Sequence, residues 1–320
     1  MRGAIHLDCL GSAHSSRSYD AIRGKNVDGG RGHACVEDAC SQTPPNSRSN
    51  GSKTMKSKIR RVVTFILGSR YGLPVSHRLA QIGMLGLGVD IGSEFEINGE
   101  EWLSQRLFKA LPGAVCADVG ANIGEYTETA LRLGASRILA FEPAPVTFQT
   151  LNETYGSDKR VELLQTALGE DVGQTVFYFP LDRDSTFASR DIHITTISNA
   201  RTSRLDVPLT TLDRICQERN VDFDVIKIDV EGFELEVLKG AEELLVKNPP
   251  QLIQFEFNSH HRKRHQTLDD FAMLLPQYRM FRLASRSLRP IDLDRPFSTI
   301  YAYQNIVCIH EASGIISEFT

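Results

Sequence analysis

The residues best placed to do chemistry begin with an acid that closes a short apolar run. Two glycines follow it, giving Asp118-Val119-Gly120-Ala121-Asn122-Ile123-Gly124. The pattern predicts a strand, a tight turn and a helix start, the arrangement by which an α/β fold offers its backbone to a nucleotide-like ligand. A dinucleotide fingerprint reads Gly-x-Gly-x-x-Gly. Here the acid stands before the first glycine and three residues separate the pair. A second acid, Glu142, ends the apolar run 137–141, where doubly wound folds place the carboxylate that accepts hydrogen bonds from ribose hydroxyls. A third run, 224–234, puts Lys227 and Asp229 on one face of a strand, because strand side chains alternate. Unpaired charges are costly to bury, so these two must pair or face a cleft. Glu231 comes next, and Gly232 lets the chain turn after it. In a fourth run Gln254, Glu256 and Asn258 share one face opposite Ile253, Phe255 and Phe257, which predicts a wet cleft beside a core strand.

The chemistry these residues suit is methyl transfer. A sulfonium cofactor carries no pyrophosphate, so it needs close backbone approach and a carboxylate for its cationic amino-acid portion. The turn at Asp118 therefore points to S-adenosylmethionine rather than NAD. In such a reaction the protein aligns the acceptor and helps remove its proton. Where the acceptor group is a poor acid, either a carboxylate base or a divalent metal is called for. Asp229 and Glu256 suit either arrangement, and no metal-ligand motif supports the ion. His261 and His265 have the four-residue spacing of a helical metal pair, but the H-E-x-x-H order is absent. Together with His260, Arg262, Lys263 and Arg264 they read as a solvated basic loop beside the cleft.

The elements that must position these groups alternate strand and helix. The strands fall at 115–119, 137–141, 161–165, 224–229, 251–257, 278–283 and 301–310, with helices from Pro145, Leu209, Phe233 and Leu268 between them. Repeated βα units imply a mostly parallel, doubly wound sheet covered by helices on both faces. Residues 174–179 alternate as a hairpin arm or sheet insertion, and the polar stretch 182–204 reads as a long loop of the kind that serves as a lid. Upstream, 100–111 reads as a helix with Trp102, Leu103, Leu107 and Phe108 on its apolar stripe. Residues 83–92 read as Gly-rich and irregular, and 56–67 as a basic amphipathic helix docked on the domain, with a membrane-surface role as the alternative. Residues 1–54 lack hydrophobic periodicity and read as a disordered extension. Met55, where the ordered pattern begins, is where a shorter chain would start. The domain plan is thus 1–54 extension, 55–110 helical segment and 111–320 catalytic domain.

Composition narrows the class. The 320 residues are 41% hydrophobic and 24% charged with a net charge of −4, as in a soluble globular protein with no general electrostatic case for nucleic acid. No apolar run is long enough for a membrane span, and no secretory signal pattern opens the chain. The six cysteines fit neither a zinc site nor a compact disulfide framework, so a reducing, cytoplasmic setting is expected. Cys116 and Cys308 read as small core residues.

Taken in order, Asp118–Gly124, Phe141-Glu-Pro143, Leu212-Asp213, Ile226–Glu234, Leu238-Lys-Gly-Ala241 and Asn305 resemble the FkbM-type family of S-adenosylmethionine-dependent methyltransferases over roughly residues 90–311. The resemblance implies a class I methyltransferase fold, Rossmann-like, with a seven-stranded sheet whose last strand is antiparallel. It implies O-methylation of a hydroxyl on a sugar, glycan or secondary metabolite. Carried over by residue, Asp118, Gly120, Asn122 and Gly124 would line the methionine and ribose side of the cofactor. Glu142 would hold the ribose, Thr166, Ala167 and Leu168 would lie near the adenine, and Asp229 and Glu231 would stand at the reaction face. An NAD(P)-dependent oxidoreductase and an inactive methyltransferase-like binding module are the competing readings. The first lacks its glycine fingerprint and a Tyr/Lys or His catalytic set.

Overall fold

The computed structural model describes residues 50–92, 97–180, 202–295 and 298–319. The chain divides into a unit ending at Arg60, of which only the start of a helix is described, and a unit of residues 61–320 that carries the fold. Its parallel strands are β1 (Val115–Val119), β2 (Arg137–Phe141), β3 (Val161–Leu164), β7 (Val225–Ile228) and β8 (Leu252–Phe257). Two further strands, β9 (Tyr278–Ala284) and β11 (Gln304–His310), complete the seven, and β10 (Ser287–Pro290) adds an eighth at the edge. The order across the sheet is β10-β9-β11-β8-β7-β1-β2-β3. The last strand, β11, runs antiparallel to both its neighbours, as expected. This is the class I methyltransferase strand order, with the β9–β10 hairpin as the strand not foreseen.

Apolar side chains fill both faces of the sheet, which is why its strands read as near-continuous hydrophobic runs. On one face Ala117, Ile226, Ile228, Ile253 and Phe255 pack against α6 (Leu212–Arg219), α7 (Glu234–Lys239), α8 (Glu242–Lys247) and α10 (Leu268–Leu274). On the other, Cys116, Ile138, Val225 and Val307 pack against α3 (Glu100–Ala110), α4 (Glu125–Leu133) and Leu151 of α5 (Pro145–Tyr155). Cys116 and Cys308 are fully buried free thiols, as core residues should be.

Several elements differ from expectation for local reasons. The single helix expected over 233–245 is two, α7 and α8. Gly240 is the C-cap of the first, and a Cβ there would come 2.0 Å from the Gly169 carbonyl oxygen, so only glycine fits. Asp213 then caps the new helix start, its carboxylate accepting from the N–H groups of Glu243 and Leu244 at 2.9 and 2.8 Å. A small second sheet, β4 (Ala167–Leu168), β6 (Thr202–Thr210) and β5 (Gly173–Pro180), takes residues 202–204 out of the expected loop and the start of the helix expected from Leu209. The rest of that loop, and the disordered reading of 1–49, lie outside the described residues. Upstream, α1 (Asn50–Leu67) contains the helix expected over 56–67 and carries it back through residues 50–54 of the expected disordered extension, and α2 (Leu73–Gly86) replaces part of the Gly-rich irregular stretch. Within the expected 55–110 segment α3 is buried against the sheet, and Val89 is buried beside Gly88, which packs on Leu283 of β9. The apolar side chains of α1 and α2 stand exposed.

Candidate active site

Register decides which polar groups reach the site. Asp118, Lys227 and Gln254 are Cα partners on one rung of β1, β7 and β8. Side chains alternate, so the next residues on the same face lie two positions on: Gly120, Asp229 and Glu256. The inner rung is enclosed. Asp118 is fully buried and accepts from the Thr127 hydroxyl at 2.7 Å. Burial pushes its carboxyl above the usual range, against the pull of Lys227 and Thr127. Gln254 is buried and donates to Glu100 Oε1 at 2.6 Å. The outer rung opens into a cleft of about 480 Å³ at the carboxyl ends of the strands, where open α/β sheets bind ligands.

The cleft brings together most of the residues singled out from sequence. Gly120, Asn122, Glu142, Thr166, Ala167, Leu168, Asp229, Glu231 and Glu256 all line it. Asp118 and Gly124 do not. Asp118 sits one rung behind, and Gly124 faces α5, where a Cβ would meet Tyr155 and Leu151 at 2.4 and 2.8 Å. Gly120 has φ +83°, and a Cβ there would lie 1.8 Å from the Asp229 carbonyl oxygen, so this glycine lets the turns after β1 and β7 touch. Glu142 fastens the first turn: its two oxygens accept from the N–H groups of Asn122 at 3.0 Å and Ala144 at 2.8 Å. Burial raises its carboxyl to about 7, with those two hydrogen bonds opposing.

Lys227 reaches outward to Asp229 Oδ2 at 3.1 Å. Burial disfavours its charge, but Asp229, Asp118 and Glu100 outweigh that and hold its pKa above the ordinary lysine value. Glu256 is deeper. Burial, reinforced by Asp229, Glu231 and Glu234, pushes its carboxyl well above the usual range, and Asn258 donates to it. Glu231 stands at the rim with φ +56°, an uncommon backbone state for a non-glycine residue. Its Oε2 lies 3.2 Å from His260 Nδ1. Gly232 permits this meeting, since a Cβ there would fall 2.6 Å from His260 Cβ.

The basic run after β8 is not the solvated loop expected. It forms α9 (Ser259–Lys263) with His261 fully buried, Nε2 lying 2.9 Å from Glu234 Oε2. Glu234 Oε1 accepts from the N–H groups of Val230 and Gly232 at 3.1 and 3.2 Å, so the pair braces the turn that carries Glu231. Arg264 pairs with Glu236 and stacks 3.8 Å over the Phe233 ring. Among the described residues no three His, Cys, Asp or Glu side chains group as metal ligands.

Sequence reasoning passed over Glu100, Phe177 and Tyr303, which also line the cleft. Glu100 was read only as a helix start. Its signal was Asn98, whose amide donates to it at 2.5 Å while its own N–H returns 2.9 Å to Asn98 Oδ1. Phe177 and Tyr303 come from the second sheet and the approach to β11, and nothing local marks them.

Residues 118–283 match the family described as methyltransferase FkbM domain. The chain belongs to that family. Among curated relatives, methyltransferase sdnD of Sordaria araneosa is 32% identical over 154 residues, 39% of this chain and 60% of that protein. The hexuronic acid methyltransferase AglP of Haloferax volcanii is 31% identical over 155 residues, 47% and 59% of the two chains. The 2-O-methyltransferase NoeI of Sinorhizobium fredii is 28% identical over 148 residues, 42% and 60%. The chain thus spans about three fifths of the length of these relatives. The matched FkbM span begins at Asp118 and includes every cleft-lining residue foreseen from the sequence.

The residues present fit the cofactor this family implies. Among the described residues six carboxyl groups line the cleft, from Glu100, Glu125, Glu142, Asp229, Glu231 and Glu256, against one cation, Lys227. Such a donor set suits a ligand bearing sulfonium and ammonium charges, and is poorly matched to a pyrophosphate. The apolar wall of Phe141, Leu168 and Phe177 offers a surface for an aromatic base.

Proposed function

We propose that this chain is an S-adenosylmethionine-dependent O-methyltransferase acting on a hydroxyl of a sugar or secondary metabolite. The observation that carries the reading is the cleft itself, with Glu142 at the end of β2, the Gly120–Asn122 turn between, and Asp229 at the end of β7. The relatives' names, one a 2-O-methyltransferase and one a hexuronic acid methyltransferase, support an oxygen acceptor on a small or carbohydrate substrate.

When bound, the cofactor supplies an electrophilic methyl group. In this reading Glu142 accepts from the ribose hydroxyls, the Gly120–Asn122 backbone borders the methionine side, and Thr166, Ala167 and Leu168 border the adenine. Asp229 and Glu231 face the acceptor. Asp229, its charge balanced by Lys227, takes the proton from the acceptor hydroxyl as the oxygen attacks. Glu256, which holds its own proton more tightly, donates a hydrogen bond to the acceptor and orients it. The Glu231–His260 pair at the rim is the route by which the proton leaves.

Calorimetry with S-adenosylhomocysteine and with NAD tests the cofactor half. Binding of the first and not the second is expected; the reverse overturns it. For the reaction half, methyl-labelled cofactor is incubated with glycans and metabolite extracts and the labelled product is read by mass spectrometry. Asp229→Asn should lose turnover by about 100-fold or more while cofactor affinity changes little. Glu256→Gln, still able to donate, should lose less. Near wild-type turnover in Asp229→Asn would move the base to Glu231 and His260. Loss of turnover on chelation would bring in a divalent ion. Cofactor binding with no product from any hydroxyl acceptor would favour the inactive binding module.

A further inference from the structure

Helices α1 and α2 leave their apolar side chains in solvent. On α1, Met55, Ile59, Val62, Val63 and Ile66 recur at helical spacing and so share one face, and each is between 46% and 65% exposed. On α2, Val75, Leu79 and Ile82 form a second stripe at 51%, 53% and 66%, and no residue of that helix is buried. The charge around these stripes has one sign. Residues 39–89 contain eight Lys and Arg and no Asp or Glu, which leaves −12 to the rest of a chain whose net charge is −4. On α1, helical spacing puts Lys56 and Lys58 on either flank of the stripe and Arg61 across from it.

We propose that α1 and α2 form an interfacial anchor for an anionic lipid bilayer. An apolar stripe edged by lysines is the geometry of helices that lie in the headgroup region, with the stripe at the acyl boundary and the long cationic side chains reaching the phosphates. No helix among the described residues is long and apolar enough to cross a membrane, so the anchor lies on the surface. A second copy meeting this one through the same two helices would bring the same excess of positive charge to the contact and be repelled. The buried centres of protein interfaces are likewise depleted in Lys. An anionic bilayer supplies the complementary charge and takes up the apolar stripe at once.

The test is flotation of the full chain with two vesicle types, phosphatidylcholine alone and phosphatidylcholine with about one third phosphatidylserine. The protein should float with the anionic vesicles only, and raised salt should weaken the partition. Lys56→Gln and Lys58→Gln should each lower it about fivefold. Ile59→Asp combined with Ile66→Asp should abolish it, with an unchanged thermal midpoint showing that the fold is intact. Failure to float with anionic vesicles, equal flotation with neutral ones, or flotation that survives the aspartate substitutions overturns the proposal. Self-association by light scattering that the same aspartates remove, without vesicle binding, would assign the face to a second copy and also overturn it.

Discussion

Lys227 shows how single residues are tuned in this cleft. Among the described residues it is the one cation lining the cleft, and Asp229, Asp118 and Glu100 surround it from β7, β1 and α3. Glu142 carries the clearest measurable consequence. Its carboxyl is raised from 4.5 to about 7, chiefly by burial. A carboxyl raised on folding stabilises the protein below its unfolded value, and that contribution is lost as pH rises through the folded value. Unfolding free energy of the free protein should therefore fall between about pH 4.5 and pH 7, by at most about 3 kcal/mol, and then level off. Glu142→Gln should flatten that slope in denaturant titrations. Affinity for S-adenosylhomocysteine should move the other way, rising through about pH 7 as the carboxylate ionises and accepts ribose hydroxyls more strongly. An affinity that is flat in pH in the wild-type protein would take Glu142 out of the ribose role.

Among elements, the turn between β7 and α7 does most to shape the reaction face. Asp229 N–H donates to the Val119 carbonyl at 2.9 Å, so β1 fixes where β7 ends. Beyond it, Glu231 and Gly232 both adopt positive φ, a conformation that must be held by surrounding contacts. Glu234 supplies the hold through two backbone N–H groups, backed by His261. Glu234→Gln keeps the shape and removes the charge that strengthens those bonds. It should cost about 1.5–3 kcal/mol in urea unfolding. It should also lower turnover more than cofactor affinity, because the turn carries Glu231 while the Glu142 side of the cleft is untouched. Equal losses in both would mean that the turn also shapes the cofactor side.

For the whole molecule, the core clusters on both faces of the sheet draw every buried member among the described residues from Leu103 onward. A chain lacking residues 1–49 should therefore retain its thermal midpoint and its affinity for S-adenosylhomocysteine. A drop of more than a few degrees on truncation would assign those residues a contact with the domain. The matched family span lies wholly within the same unit. Fold, cleft and family thus converge on residues from about 98 onward, and α1 and α2 add a surface of different character.

Much of this was legible in the sequence, because it depended on neighbours along the chain. Strand alternation put Lys227 beside Asp229, apolar runs marked strands buried on both faces, and Asp118–Gly124 and Glu142 marked the ends of β1 and β2. What the chain alone did not contain was register between strands. Asp118, Lys227 and Gln254 share a rung, so Asp118 is walled in while Asp229 and Glu256, one rung out, reach the cleft. Burial, likewise a tertiary quantity, separates Glu256, whose carboxyl is pushed up, from the more exposed Glu231, and buries His261 out of a run that looks solvated. Local pattern shows which face a side chain takes. Only the packing of distant segments, such as Gly240 against Gly169 or Gly232 against His260, decides what that face meets.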